Sequence, residues 1–262
     1  MIYDERSPKY VDHLNKTFYF LEDGRCFIVR EETSTGYMHL YLYGIGQGVL
    51  HPITQGEWEV TDFVGLRGDK VYYISTESSP LKRDLYRVGL DGKHKERLTP
   101  GDGYYSIYPS ADLSYYICEG GDSSAPGRTD VFNAAGKRVR TLYDNAPLKE
   151  ALVEAGLPVR EFFTFTTERG DELNGYMLKP LDFDPAKRYP VLLTQYSGPG
   201  SQQVAEGWGP DWEDALVTHG YIVVCVDPRG TGYRGEEFKK LTYGNLGRLE
   251  VEDQISTARY MA

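Results

Sequence analysis

The sequence lacks any long apolar run and any surplus of basic residues. No stretch approaches the roughly 18–20 apolar residues needed to cross a bilayer, and the opening MIYDERSPKYVD has no apolar core behind a basic segment, as a secretory signal would. The formal net charge is -10, whereas surfaces that bind nucleic acid or anionic lipid are rich in Lys and Arg. We therefore expect no membrane span in this segment and no nucleic-acid partner.

Cysteine and histidine are also scarce. Cys26, Cys118 and Cys225 are odd in number and widely spaced, which excludes a disulfide framework and a C-x-x-C motif. Each lies in an apolar, strand-like run, where a free cysteine behaves as a small buried apolar residue. The five histidines form no i, i+4 pair, so the sequence predicts neither a metal site nor a cofactor.

Tyrosine is abundant, and most of the 22 tyrosines precede residue 145. They fall in short alternating runs such as TFYFL, GYMHLYLY, KVYYIS and DLYRV, which are typical of β-strands. The segments EDGR, LRGDK and GLDGK separate these runs and contain the residues of tight hairpin turns. The first part of the chain is therefore predicted to be antiparallel β-structure.

This β-region repeats itself. RCFIV followed by HLYLY aligns with KVYYI followed by DLYRV at an offset of 45 residues, and LSYYI followed by TDVFN forms a weaker third copy. Such a period indicates propeller blades of four strands, although a β-sandwich with accidental spacing remains an alternative. Because a propeller ring needs four or more blades, we expect residues 1–145 to be a partial β-propeller of about three blades whose beginning precedes Met1.

The pattern changes after residue 145. Leu148, Leu152 and Val153 have helical spacing between Asn145 and a terminating Gly156, which predicts a connecting helix in residues 146–158. EFFTFTTERGDELNGYMLKP predicts a hairpin, and YPVLLTQY and YIVVCVD are continuous apolar runs typical of parallel strands buried on both faces. Helices are predicted over residues 211–220 and 249–261. The predicted fold class is therefore mixed, with β-structure first and α/β structure over residues 159–262.

The loop YSGPGSQ leaves the first apolar strand at the carboxyl edge of this sheet, where sites assemble in α/β folds. The corresponding loop of α/β hydrolases supplies an oxyanion donor, and the Tyr196 phenol can donate without a change of charge. From the residues alone, Tyr196 is either such a donor or a strand-end aromatic. A phosphate-binding loop is disfavoured, because no downstream Lys and no helix opened by the glycines follows.

Two further groups of charged residues lie near this edge. In DPRGTGYRG, Asp227 and Arg229 either line a site or lock the turn by pairing with each other, and we favour the lock. In LEVEDQ, the carboxylates Glu250, Glu252 and Asp253 lie close to a helix start, where they complement the helix dipole rather than form a catalytic pair.

No serine lies in a G-x-S-x-G motif. The nearest imitation, GDSSA, lies in a hairpin of the β-region without the strand-to-helix turn that exposes a nucleophile. We therefore expect the catalytic serine, acid and histidine to lie beyond this chain.

Taken together, YPVLLTQYSGPGSQ, VDPRGTGYRG and LGRLEVEDQISTAR resemble the opening of the catalytic domain of the dipeptidyl peptidase IV family, which is of the prolyl oligopeptidase type. QGEWEVT, DGYYSIYPS and the NAPLKEAL connector resemble the last blades of its propeller, so the similarity is collinear over essentially the whole chain.

The resemblance implies that residues 159–262 are a partial α/β hydrolase domain. It also implies a serine peptidase that releases N-terminal dipeptides after Pro or Ala through an acyl-enzyme. It implies that Tyr196 helps form the oxyanion hole, that a serine in a G-W-S-Y-G-G setting follows about 20 residues beyond Ala262, and that paired glutamates binding the free amine of the peptide substrate precede Met1. It also implies a periplasmic, cell-envelope or extracellular location.

Three alternatives stay open. The first two are a related oligopeptidase and an acylaminoacyl peptidase of the same architecture, and the third is a non-enzymatic module that has kept the fold for an interaction. Unpaired strand edges of an open propeller and half a sheet would also favour association with a second copy as a homodimer.

Overall fold

The computed structural model describes residues 2–12 and 17–262, which form sixteen strands and four helices. The strands are β1 (Thr17–Phe20), β2 (Cys26–Glu31), β3 (His39–Gly44), β4 (Gly48–Pro52), β5 (Val60–Arg67), β6 (Lys70–Ser75), β7 (Asp84–Gly89), β8 (Glu96–Arg97), β9 (Tyr104–Pro109), β10 (Tyr115–Gly121), β11 (Arg128–Asn133), β12 (Arg138–Tyr143), β13 (Glu161–Thr166), β14 (Glu172–Leu178), β15 (Val191–Thr194) and β16 (Ile222–Asp227). The helices are α1 (Ala146–Ala155), α2 (Trp212–Val217), α3 (Gly235–Lys239) and α4 (Arg248–Tyr260).

The first twelve strands form three four-stranded antiparallel sheets in simple meander order, β1 to β4, β5 to β8 and β9 to β12. The three repeat copies found in the sequence fall on the inner hairpins β2–β3, β6–β7 and β10–β11. Each repeat is therefore one propeller blade, and the predicted partial propeller is confirmed.

The blades pack face to face through side chains that alternate along each strand. Tyr73 packs with Ile28 and Leu40 of the first sheet, whereas its neighbour Tyr72 packs with Leu113 and Tyr116 of the third. Successive residues of β6 thus reach opposite faces, so the second sheet is covered on both sides.

α1 begins after Asn145, which has a left-handed backbone, and ends at Gly156, whose N–H bonds to the carbonyls of Leu152 and Val153. The predicted connecting helix is therefore present. No residue of α1 is fully buried, and Val153 is 83% exposed, so helical spacing here does not mark a core-facing stripe. The domain boundaries at residues 145 and 158 stay predictions.

The last sheet has the order β13-β14-β16-β15. β13 and β14 form the predicted hairpin, β14 pairs antiparallel with β16, and β15 pairs parallel with β16. The expectation that both apolar strands are buried on both faces is right for β16 and wrong for β15, whose residues are partly or fully exposed. β15 is the edge strand, so only one of its sides has a neighbour. No helix in the described part of the chain is long and apolar enough to span a membrane.

Candidate functional site

The Tyr196 loop, residues 196–202, follows β15 at its carboxyl end. Tyr196 is 70% exposed. Ser197 has a φ of 58°, a left-handed conformation that costs energy for a residue with a side chain. A Cβ added to Gly198 would lie 2.5 Å from Cε1 of the Tyr196 ring. The backbone of the loop therefore turns the phenol outward. The Tyr196 ring fits in this position because residue 198 has no side chain.

Hydrogen bonds bind the Tyr196 loop to the loop after β16. Ser201 closes a turn by donating its hydroxyl to the Gly198 carbonyl at 2.6 Å. Gly200 N–H donates to Gly230 O, and Gly232 N–H donates to Ser201 O, both at 2.8 Å. The two loops therefore form one unit at this edge of the sheet, as the parallel pairing of β15 and β16 requires.

Asp227, the last residue of β16, fixes the far end of the Tyr196 loop. Its carboxylate accepts the backbone N–H of Gln203 at 3.0 Å and that of Val204 at 2.8 Å. Burial raises the pKa of this carboxyl, and the two backbone amides act against that shift. Asp227 therefore has a structural task in the site.

The predicted pairing of Asp227 with Arg229 is wrong. The Arg229 guanidinium instead donates to Asp253 of α4, with Nη2 to Oδ1 at 2.7 Å and Nε to Oδ1 at 3.0 Å, and it contacts Asp171 at 3.0 Å. Neighbours in sequence diverge here because the chain turns at Pro228. The hydrogen bonds to Asp253 are the main cause that raises the pKa of Arg229, against its burial.

The three carboxylates of α4 have different roles. Glu250 accepts the Gly247 N–H at 2.9 Å, which is the predicted capping role. Glu252 and Asp253 instead pair with Arg229, and Asp253 is fully buried. The sequence pattern at the helix start did not separate the buried Asp253 from the partly exposed carboxylates near it, because its partner Arg229 is distant in sequence.

A second buried carboxylate was missed by the sequence analysis. Glu213 of α2 is 5% exposed, accepts the Tyr176 hydroxyl at 2.8 Å and the Thr194 hydroxyl at 3.1 Å, and lies 3.9 Å from Arg160. Burial is the largest cause of a raised pKa at Tyr176. This group links α2 to the sheet through Tyr176 and Thr194.

A groove of about 490 Å³ lies between the Tyr196 loop and α4. Gln195, Tyr196 and Ser197 line one wall, and Val251 and Ile255 of α4 line the other. Val251 and Ile255 are 56% and 47% exposed, and the buried Ser197 hydroxyl has no hydrogen-bond partner among the residues that the structure describes. The groove therefore begins just after β15 and is lined in part by an exposed phenol.

No nucleophile of the expected kind occurs in the part of the chain that the structure describes. Ser123 and Ser124 of GDSSA lie in the turn between β10 and β11, and the Ser124 hydroxyl bonds to Asp122. The ring nitrogens of His39, His51 and His219 form hydrogen bonds with threonine hydroxyls and backbone carbonyls. Within residues 2–12 and 17–262, no group of three or more metal-binding side chains is arranged to hold an ion.

The free cysteines fit their predicted structural role in two of three positions. Cys118 and Cys225 are buried, and Cys26 is partly exposed. Burial raises the pKa of both buried thiols to about 12, which leaves them protonated near neutral pH. Neither is an activated nucleophile.

Two family models match the chain. "Dipeptidyl peptidase IV (DPP IV) N-terminal region" matches residues 1–126, and "Prolyl oligopeptidase family" matches residues 208–262. The order of the two matches follows the order of the propeller and the hydrolase sheet.

Curated relatives agree with this order. A probable dipeptidyl peptidase 4 of Emericella nidulans is 37% identical over 239 residues, covering 87% of this chain and 30% of the relative. A probable dipeptidyl-aminopeptidase B of Aspergillus niger is 39% identical over 233 residues, covering 86% of this chain and 26% of the relative. The chain thus spans under a third of the length of these relatives.

Solved structures match over nearly the whole chain. The dipeptidyl peptidase 4 of Porphyromonas gingivalis has a TM-score of 0.89 and 38% identity, covering 97% of this chain and 36% of that one. A putative dipeptidyl aminopeptidase IV of Bacteroides ovatus has a TM-score of 0.84 and 26% identity, covering 97% and 39%. With the blades, the hydrolase sheet and both family models in one collinear arrangement, the chain belongs to the dipeptidyl peptidase IV type of the prolyl oligopeptidase family, and it comprises propeller blades and the start of the hydrolase domain.

Proposed function

We propose that this chain is part of a serine-type dipeptidyl peptidase that releases N-terminal dipeptides after Pro or Ala, with Tyr196 as an oxyanion-hole donor. The observation that carries the proposal is the exposed Tyr196 phenol at the carboxyl end of β15, beside an open groove. The names of the relatives support the reaction class, since they are dipeptidyl peptidases or dipeptidyl-aminopeptidases.

The nucleophile in this proposal comes from a further parallel strand that pairs with the free side of β15. The sheet order leaves that side of β15 without a neighbour among the described residues, and an exposed strand edge is a template for another strand. A serine on a sharp turn after such a strand would lie at the same sheet edge as the Tyr196 loop. In this proposal, the catalytic acid and histidine follow the serine in the amino-acid sequence.

The role of Tyr196 is electrostatic. When the serine oxygen attacks the scissile carbonyl, negative charge develops on the carbonyl oxygen, and a hydroxyl donor fixed near that position stabilises it more than the neutral substrate. The left-handed backbone at Ser197 and the absence of a side chain at Gly198 set the direction in which the phenol leaves the loop. The acyl-enzyme then forms with loss of the amine, and water hydrolyses it.

Other properties of the whole protein follow as proposals from the family. The substrate is a peptide with a free N-terminus, bound by paired glutamates of an earlier blade. The location is the periplasm, the cell envelope or the exterior, and a homodimer is a further proposal, favoured by the exposed outer strand β12.

The test uses the full-length protein that contains this chain and Gly-Pro-p-nitroanilide as substrate. We expect Tyr196→Phe to lower kcat by about 10²–10³ with little change in KM, because only transition-state stabilisation is lost. Tyr221→Phe is the matched control, since Tyr221 precedes β16 at the opposite end of the sheet, and it should leave kcat unchanged.

The rival activities give different results. Cleavage of N-terminally blocked peptides would identify an oligopeptidase, and release of N-acetylated residues would identify an acylaminoacyl peptidase. Absence of all three activities would favour an interaction module, and full activity of Tyr196→Phe would remove Tyr196 from the oxyanion hole.

A further inference from the structure

Arg83 is a buried cation of the propeller that the sequence analysis did not single out. It directly precedes β7 and is 4% exposed. One guanidinium nitrogen, Nη1, donates to the carbonyls of Pro80 at 3.1 Å and Lys82 at 2.8 Å. These bonds fix the guanidinium plane relative to its own blade.

The other side of the Arg83 guanidinium faces the hydrolase sheet. Its Nη2 donates to Oε1 of Gln202 at 2.6 Å, and the Gln202 amide nitrogen donates to Pro80 O at 2.8 Å. The guanidinium carbon lies 3.9 Å from the ring centre of Tyr233 and 5.3 Å from that of Tyr104. One side chain therefore contacts both loops of the candidate site, at Gln202 and at Tyr233.

Gln202 is the last residue of the Tyr196 loop, so its position sets that of the loop. The adjacent Ser201 closes the turn onto Gly198, and its carbonyl accepts Gly232 N–H. On the other side, the Gln203 N–H bonds to Asp227. Movement of Gln202 would therefore be transmitted through Ser201 and Gly198 to the base of the Tyr196 ring.

The contact requires arginine specifically. A planar guanidinium can donate in two directions and stack on an aromatic face at once, whereas a lysine ammonium is a strongly hydrated point charge that does neither in this geometry. Tyr233 has a φ of 66°, an unfavourable left-handed conformation that places its ring against Arg83. Backbone strain at Tyr233 is typical of residues whose position is important for function.

We propose that Arg83 is a positioning residue for catalysis, which acts through Gln202 to hold the Tyr196 hydroxyl at the place where the oxyanion develops. The proposal rests on the proposed function of Tyr196. It assigns to a propeller blade a direct part in the geometry of the hydrolase site.

The test combines hydrogen exchange and kinetics on the full-length protein. Arg83→Met should raise deuterium uptake in peptides covering residues 198–204 and lower kcat about tenfold with KM changed less than about twofold, because loop order is lost and peptide binding is kept. Arg83→Lys should also raise deuterium uptake in these peptides and lower kcat. Arg87→Met is the matched control, since the described partners of Arg87, Ala134 O and Glu96, lie within the propeller, and it should change neither readout.

A double-mutant cycle with Tyr196→Phe separates positioning from a general structural role. If Arg83 acts through the Tyr196 hydroxyl, Arg83→Met should cost no further activity once that hydroxyl is gone. An equal loss in both backgrounds would overturn the proposal.

Failure of the proposed function would look different. A wild-type protein without dipeptide release contradicts the proposed function, and hydrogen exchange still decides whether Arg83 orders the loop. Unchanged uptake in residues 198–204 in both Arg83 variants would overturn the positioning role by itself. If Arg83→Met does not fold, Arg83→Lys supplies the same comparison with the charge retained.

Discussion

At the scale of single residues, the candidate site depends on backbone space as much as on side-chain chemistry. Tyr196 was identified from the sequence because its loop follows an apolar strand. The sequence did not show that Ser197 takes a left-handed conformation or that Gly198 touches the Tyr196 ring. Both features arise from the path of the loop, which is set by its hydrogen bonds to residues 230–232.

Gly198 allows a direct test of this view. A methyl group at this position would lie 2.5 Å from the Tyr196 ring, so Gly198→Ala must move the ring. We expect kcat for Gly-Pro-p-nitroanilide to fall at least about tenfold in the full-length protein, because a misplaced donor no longer meets the oxyanion.

Gly209→Ala is the control for this substitution. A Cβ at Gly209 meets no atom within 4 Å, so its kcat should match that of the wild type. Equal kcat values for the two variants would show that the ring has room to move without loss of function.

At the scale of secondary-structure elements, the sequence predicted where strands and helices occur better than it predicted their burial and contacts. β15 reads as a buried strand and is an edge strand, because apolar composition does not tell which side of a strand has a neighbour. α4 was predicted within one residue, yet the role of Asp253 was missed. That role depends on Arg229, which lies 24 residues away in sequence.

The Arg229–Asp253 pair should be a major link between α4 and the loop after β16. Asp253→Asn leaves Arg229 buried with less compensating charge, and removing one partner of a buried ion pair costs about 3–5 kcal/mol. The remaining contacts of Arg229 to Asp171 and Glu252 place the expected loss in free energy of unfolding at the lower end. Urea titration followed by tryptophan fluorescence measures it.

The control for this pair is Arg248→Met on the same helix. Arg248 contacts Glu252, but its side chain is 60% exposed, and exposed pairs contribute at most about 1 kcal/mol. A loss in Asp253→Asn no greater than in Arg248→Met would contradict a structural role for the buried pair.

At the scale of the whole molecule, buried charges connect the first blade to the end of α3 in the hydrolase part of the chain. Lys240 lies 2.9 Å from Glu32, and Lys239 contacts Glu32 and lies 3.1 Å from Asp12. Glu32 and Lys240 are each 1% exposed. Burial is the largest single influence on the pKa of Lys239 and lowers it, but the hydrogen bonds and negative charges of Glu32 and Asp12 together raise this pKa above its ordinary value.

Glu32→Gln should therefore uncouple the two halves. Two buried ammonium groups would lose their shared carboxylate, so we expect the free energy of unfolding to fall by about 3–5 kcal/mol and a single urea transition to separate into two. Because the folded pKa of Lys239 is raised, its stabilising contribution is complete below the unfolded value of 10.5 and is lost only as pH rises through the folded pKa.

The difference between Glu32→Gln and the wild type should accordingly stay constant between about pH 6 and 9. Glu154→Gln, at an exposed position of α1, should change neither the stability nor the number of transitions. A strong dependence on pH in that range would assign the stability to other groups.

The sequence by itself determined the three blades, the hairpin, the start and end of α1 and the place of Tyr196 at the end of a strand. Strand alternation, turn residues and helix stops act over a few neighbouring residues, so the linear order records them. Only the tertiary structure decided that β15 is an edge and that Arg229 pairs with Asp253 rather than Asp227. It also decided that Arg83 contacts the loops after β15 and β16 and that Glu32 contacts the end of α3. These outcomes depend on which distant groups folding brings within bonding distance, and burial then makes each of those pairings energetically important.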